Sequence, residues 1–381
     1  MGDATLYAVL PTNAGEAGIA LSSVGLVLGI NRAIRILLNG PAGLAYDRMP
    51  RRALFVSSLF VGAISTAVYA GTKGLLPLLA GRLLWGLAWS GIWVGGAAMI
   101  LDITTVHDRG RWTGVYQTWF FLGSAMGSFA GGLLTDRLGY TTTMWIGSAV
   151  TAVGGLAAWA FLPETRSARP QQAPAAQAGG AEAARQGGGL FVAAAIQGIN
   201  RFVIAGVLAA TLGLLVQSWM EAGGVVVGVA TATGALMGAR TLLSMGAAPL
   251  AGALSDWMRN RWRVAGSAAA VGAASMVLLA AGGIWPSVAG LLLGAVAGGG
   301  LQAIATAATG DMAVTARRGR AIGLLHTAGD LGSALGPPVA YALLPTMGLS
   351  GVYVVCAGLF AVGLLLTLRL WTSGYRQRSR S

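Results

Sequence analysis

The chain has 381 residues, of which 55% are hydrophobic and only 10% charged, with a net charge of +13. A water-soluble domain carries roughly 25% charged residues, so this chain cannot cover a surface in water, and soluble classes are excluded. Its basic residues fall in short clusters between apolar runs, which excludes a nucleic-acid footprint and leaves an all-α polytopic membrane protein embedded in a lipid bilayer.

In chain order, the apolar runs predict helices over 1–11, 19–46, 53–71, 75–101, 112–135, 140–161, 190–218, 224–254, 264–283, 286–310, 320–344 and 349–370. The first run is too short to cross a hydrocarbon core of about 30 Å, so helix one is expected to be truncated, with roughly twenty further residues needed upstream. Residues 163–189 are rich in Ala, Gly, Gln and Pro, the composition of a flexible linker. The expected organisation is a six-helix bundle over 1–162, a linker over 163–189, a second six-helix bundle over 190–370 and a basic tail over 371–381.

The two bundles repeat with an offset of 209, which carries Gly43 onto Gly252, Asp47 onto Asp256, Arg52 onto Arg261 and Asp102 onto Asp311. Arg109, Gly110 and Arg111 fall on Arg318, Gly319 and Arg320, and Gly139 on Gly348. Composition bias does not align aspartates and arginines in this way. Six helices per repeat give both halves the same orientation, a parallel repeat. Most of the 25 Lys and Arg lie in the loops near 47–52, 102–111, 163–189, 255–263 and 311–320 and in the tail, whereas the opposite loops hold Lys73 and Arg137. The crowded side is therefore expected to be cytoplasmic, with the linker and the C-terminus inside a cell's inner (plasma) membrane.

The segment Gly43 to Arg52 contains Gly43, Asp47, Arg48, Arg51 and Arg52 and resembles the loop signature of the major facilitator superfamily. A degraded copy runs from Gly252 through Asp256 to Arg261. Arg82 to Gly86 is similar to the fourth-helix motif of that family, and Gly123, Gly127 and Gly131 to its fifth-helix glycine motif, with Ser128 where proline is usual. Pro163 to Arg166 resembles the end of helix six. The resemblance implies a secondary transporter working by alternating access. It also implies a cytoplasmic gate, in which Asp47 caps a helix N-terminus and Arg51 or Arg52 pairs with Asp102, with Asp256, Arg261 and Asp311 as the second copy. Arg82 is expected to have a structural or coupling role.

Charge inside a bilayer is costly and faces a cavity or a partner. Candidate substrate contacts are Asn31, Arg32 and Arg35, with Asn39 continuing the same face, then Gln117, Asn200, Arg201 and Arg240. His326 and Asp330, one turn apart, are candidates for proton coupling. Pro337 and Pro338 are expected to bend or break their helix, and the three motif glycines to form a packing face. Cys356, alone of its kind, and two histidines, His107 and His326, give no disulfide or metal set. His107 reads as a solvated loop residue. No cofactor and no nucleophile–base constellation is expected, so the protein is not expected to be an enzyme.

The first functional expectation is proton-coupled transport of a small-molecule substrate by a monomer. The alternative is an exchanger or uptake carrier for a small organic or inorganic anion, suggested by spare arginines. A non-transporting membrane sensor on the same fold is a third reading.

Overall fold

The hydrocarbon core offers no partner for a bare N–H or C=O, so an apolar chain crosses it as helices whose hydrogen bonds close within each segment. The computed structural model describes residues 2–105, 108–166, 183–223, 228–312 and 318–378, and all regular structure among them is helical. His107 and linker residues 167–182 lie outside the described residues. In chain order the helices are α1 (Gly2–Val9), α2 (Leu21–Arg48), α3 (Arg51–Gly71), α4 (Leu75–Ile103), α5 (Arg109–Leu138) and α6 (Tyr140–Phe161). Then come α7 (Ala183–Asn200), a π-helical stretch Arg201–Leu208, α8 (Ala209–Gly223), α9 (Val229–Trp257), α10 (Arg261–Ala281), α11 (Ile284–Met312) and α12 (Arg318–Arg378).

Eight of the described helical segments are long and apolar enough to cross a membrane. Large apolar side chains such as Leu76, Phe161 and Trp285 point outward. A surface of that kind is stable against acyl chains rather than water. The protein is an integral membrane protein.

The chain forms two compact units, one made of Met1–Gln171, Ala209–Ala239 and Pro337–Tyr341, the other of Gln172–Leu208, Arg240–Gly336 and Ala342–Ser381. In the first unit α4 packs on α2 and α3, α3 on α6, and α1 on α5. Small residues permit this closeness: Ser65 Oγ donates to Gly81 O at 2.7 Å, and a Cβ at Gly81 would stand 2.6 Å from the Tyr69 ring. Of the fifth-helix glycines, Gly131 lies against Thr5, whose Oγ1 donates to Gly127 O at 2.9 Å, while Gly123 faces open space. The neighbouring Gly132 packs on α9, where a Cβ would come within 2.0 Å of Ala230 O. This tight α5–α9 crossing draws the start of α9 into the first unit.

In the second unit α10 packs on α11, and α11 on α7. Ser275 Oγ donates to Gly290 O at 2.7 Å, the counterpart of Ser65 and Gly81. Gly139 between α5 and α6 and Gly348 within α12 have φ of 81° and 63°, a left-handed conformation that lets one residue join two successive helical rods. The break in α12 is therefore at Gly348, and the helix runs on through Pro337 and Pro338. Proline removes N–H donors without forcing a break when neighbours hold the backbone, and here Gly25 lies against Pro337 O. The chain beyond residue 370 continues α12 as helix to Arg378.

Candidate functional site

The apolar first unit has an ionic centre. Arg82 on α4 is fully buried and meets Asp3 Oδ1 at 2.5 Å. Its Nε donates to Val27 O at 3.0 Å and its Nη2 to Leu28 O at 3.4 Å. A guanidinium taken out of water costs several kcal/mol unless a counterion and further acceptors surround it, and this one has both. Asn31, also buried, donates to Asp3 Oδ1 at 3.3 Å. Gly86, one turn after Arg82, lets α4 close on α2, because a Cβ there would stand 2.8 Å from Asn31 O. The Arg82–Gly86 spacing thus combines a charge anchor with a close helix crossing.

Two more arginines extend from this centre along α2. Arg32 Cζ lies 5.0 Å from the centroid of the Tyr7 ring, and Arg82 Cζ lies 5.5 Å from that centroid. Tyr7 is held by its hydroxyl, which donates to Leu28 O at 2.7 Å. Arg32 is half-buried, and among the described residues no carboxylate pairs with it. Arg35 lies 5.6 Å from the Trp89 ring. Trp85, Trp89 and Trp93 recur every fourth residue of α4 and form a ladder with centroid spacings of 6.5 and 5.9 Å. Phe120 on α5 closes against Trp89 at 5.4 Å and Trp93 at 5.5 Å.

The candidates of the second unit are distributed differently. Asn200 is buried and donates to Gly298 O at 3.0 Å, a contact that joins α7 to α11. Arg240 Nη1 donates to Ile204 O at 2.7 Å. Ile204 lies in the π-helical stretch, and such wide turns displace carbonyls from the regular ladder and leave them for side chains. Arg201 is half-buried, with Gly329 of α12 close to its stem. On α12, Asp330 is buried while His326 is exposed. Gln117, back in the first unit, is exposed on α5.

At the basic end of the first unit Arg51 and Asp102 form an ion pair, with Arg51 Nη2 at 3.1 Å from Asp102 Oδ1. Thr165 Oγ1 donates to Asp102 Oδ2 at 3.1 Å. Helix α3 begins after Pro50, which has no side-chain acceptor, and Glu164 supplies the cap by accepting from Arg51 N at 3.0 Å and Arg52 N at 3.1 Å. Burial alone would raise the Glu164 carboxyl, but the N–H groups of Arg166, Arg52 and Arg51 outweigh it and hold the group below the usual carboxylate range. Arg52 donates to Trp159 O. Arg166 clasps the main chain through Arg48 O and Asp47 O. The Asp47 carboxylate itself is exposed and caps no helix among the described residues, and Gly43 is half-buried. In the second unit Arg261 bridges Asp311, at 2.9 Å, and Asp256, and Gly252 precedes them on α9.

The family model described as Major Facilitator Superfamily matches residues 1–295 and 189–381, which together take in the whole chain. The chain belongs to the Major Facilitator Superfamily. Citrate exporter 1 of Aspergillus niger is 28% identical over 147 residues, a match that takes in 39% of this chain and 28% of that protein. The chain thus spans little more than a quarter of that curated relative. Among solved structures, the human organic anion transporter MFSD10 (TETRAN) is 19% identical with a TM-score of 0.64, over 96% of this chain and 89% of that one. A bacterial homolog of the human lysosomal transporter Spinster, inward-facing and occupied, is 15% identical with a TM-score of 0.77, over 96% of this chain and 92% of the other. At these identities the likeness to solved structures shows the fold alone. Among the described residues no group of His, Cys, Asp or Glu could hold a metal.

For a member of this superfamily, sequence reasoning overlooked three features. Tyr7 was passed over because its role depends on which arginines fold onto it. The tryptophan ladder is visible in the sequence only as a spacing of four along α4. Asp136 had no motif around it, yet its carboxylate accepts from Thr231 N and Thr231 Oγ1, each at 2.6 Å, and from Ala230 N at 3.3 Å. It caps α9 at its N-terminus, where the helix dipole favours an anion. This is the contact expected of Asp47, formed by another aspartate at the opposite end of the helices.

Proposed function

We propose that this chain is a secondary transporter that moves a small organic anion across the membrane by alternating access. The observation that supports this reading is Arg32, a half-buried guanidinium on a membrane helix whose contact among the described residues is the Tyr7 ring. In low dielectric such a charge is unfavourable without a counterion, and a carboxylate cargo supplies one in the planar fork geometry that guanidinium favours. Arg35 stands one turn further along the same face of α2. The citrate exporter and the organic anion transporter among the similar proteins carry cargo of this chemistry, which agrees with the reading.

The remaining assignments are parts of this proposal. The basic end is cytoplasmic, by the distribution of arginines, in an inner (plasma) membrane, and the working unit is a monomer. The Arg51–Asp102 and Arg261–Asp311 clusters stiffen the cytoplasmic ends of their own units, and Asp47 becomes a helix cap in another state of the transport cycle. A second reading, proton coupling, rests on Asp330, a buried carboxylate on α12 with His326 one turn before it.

Counterflow in proteoliposomes tests the cargo class. Labelled citrate and labelled benzoate represent anions, glucose a neutral solute, and tetraphenylphosphonium a cation. An anion should exchange in wild type, at least tenfold more slowly in Arg32→Gln, and Arg32→Lys should restore only part of the rate. Exchange of the cation or of glucose with neither anion moving would overturn the reading. Uptake driven by a pH step, and lost in Asp330→Asn, is the expected result for coupling.

A further inference from the structure

The anion reading leaves the body of the cargo open, and the surroundings of Arg35 bear on it. The guanidinium of Arg35 is set over Trp89, and Trp93 stacks on Trp89 with an interplanar angle of 17°. Phe120 turns its edge towards Trp93 at 71°, and Tyr116 lies 6.1 Å from Trp93. These rings stand where α2, α4 and α5 converge. Trp85, nearest α3, is buried, but Trp89, Trp93, Tyr116 and Phe120 each keep open surface. A core cluster would be sealed on all sides.

An arginine on a membrane helix turns towards a polar cavity or a partner rather than acyl chains, and Arg35 is set over Trp89, which favours a polar surrounding for that ring. The α4–α5 contact is also built to bring the aromatic groups together: Gly96 stands opposite Tyr116, and a Cβ there would lie 2.3 Å from its hydroxyl oxygen. A charge beside stacked indole rings has a specific chemical complement. Aromatic rings favour offset stacks and edge contacts, and a guanidinium attracts both an aromatic face and a carboxylate.

Resting on the anion reading above, we propose that the preferred cargo is an aromatic carboxylate or a similar planar organic anion. Its charge is received by Arg32 and Arg35, and its ring lies on the platform of Trp89, Trp93 and Phe120. An aliphatic anion satisfies the arginines but leaves the rings uncovered.

The test compares 2-naphthoate, its fully saturated analogue decahydro-2-naphthoate, and neutral 2-naphthylmethanol, by direct binding to the purified full chain and by counterflow. We expect 2-naphthoate to bind about tenfold more tightly than the saturated acid, the size of one good aromatic contact, and the alcohol to bind weakly. Trp89→Leu should weaken 2-naphthoate more than the saturated acid and so bring the preference between them to about twofold or less, and Trp89→Phe should keep most of it. Phe120→Leu provides a second variant with the same expected direction. Equal affinity for the two acids, with both lost in Arg32→Gln, would overturn the aromatic inference and keep the anion reading. Equal binding of the alcohol and 2-naphthoate would overturn the inference through its charge half. Failure of all carboxylates, citrate included, would remove the anion reading itself.

Discussion

The two basic ends solve one problem with the same residue types in different registers. In the first unit the residue at the start of α3 that makes the ion pair is Arg51, and the cap comes from Glu164, more than a hundred residues away. The position 209 residues after Arg51 is Asn260, which caps α10 locally by accepting from Arg263 N at 3.1 Å. The ion pair then moves one residue on, to Arg261 and Asp311. The cause lies in the preceding residue: Pro50 has no side-chain acceptor, so α3 must borrow one. Positions 373–375, which correspond to Glu164, Thr165 and Arg166, are Ser373, Gly374 and Tyr375 and bring no carboxylate. The first cluster is enclosed, with side-chain exposures of 16% for Arg51 and 8% for Asp102, whereas Asp256 and Asp311 are 68% and 58% exposed. A matched pair of charges therefore differs in worth according to what covers it.

The largest expected effect comes from Asp102→Asn. It leaves Arg51 largely buried without its counterion and should cost about 2 kcal/mol, below the 3–5 kcal/mol of a fully buried pair because some water remains. The apparent melting temperature in detergent, read beside that of Asp311→Asn, checks this. Equal losses in the two variants would mean that enclosure does not separate the clusters.

Next comes Glu164→Gln, which weakens the borrowed cap and should cost about 1 kcal/mol, close to the effect of Asn260→Ala on the local one. The two caps differ in pH dependence. The Glu164 carboxyl is held below its ordinary range in the fold, so its contribution is complete above the unfolded value and is lost as pH falls through the folded one. The gap in melting temperature between wild type and Glu164→Gln should hold from neutral pH down to about pH 5 and close in stronger acid. The gap for Asn260→Ala should not change with pH over that window.

A smaller, constructive effect is expected from Pro50→Asn, which gives α3 its own acceptor. In the Glu164→Gln background it should return about 0.5 kcal/mol, whereas in wild type, where the cap is already supplied, the gain should be near zero. A similar gain in both backgrounds would show that Glu164 does not serve as the cap. The smallest effect belongs to Asp311→Asn, at most about 0.5 kcal/mol for an exposed pair, and 0.5 M salt should remove it. Resistance to salt would mean that the second cluster is more enclosed than its exposures indicate.

The transmembrane runs could be read from the chain because they rest on local hydrophobicity, and the sequence offered Arg51 or Arg52 as the partner of Asp102, of which the fold pairs Arg51. Arg82 stands out in the sequence as a motif residue, but its pairing with Asp3 is not legible there. The α1–α5 contact through Thr5 and Gly131 fixes where that short helix sits, and no spacing within the sequence records it. Asn31 and Asn200 are candidate substrate contacts in the sequence, and only the fold shows that one donates to Asp3 and the other to Gly298 O. The sequence by itself determined that this protein is a bundle of membrane helices with basic ends and intramembrane arginines, because hydrophobicity and charge act on every residue wherever its neighbours are. Which arginine has a counterion, which aspartate caps which helix and which tryptophans lie beside a guanidinium were decided only in the tertiary structure, since those energies depend on separations of a few ångströms between residues remote in the chain.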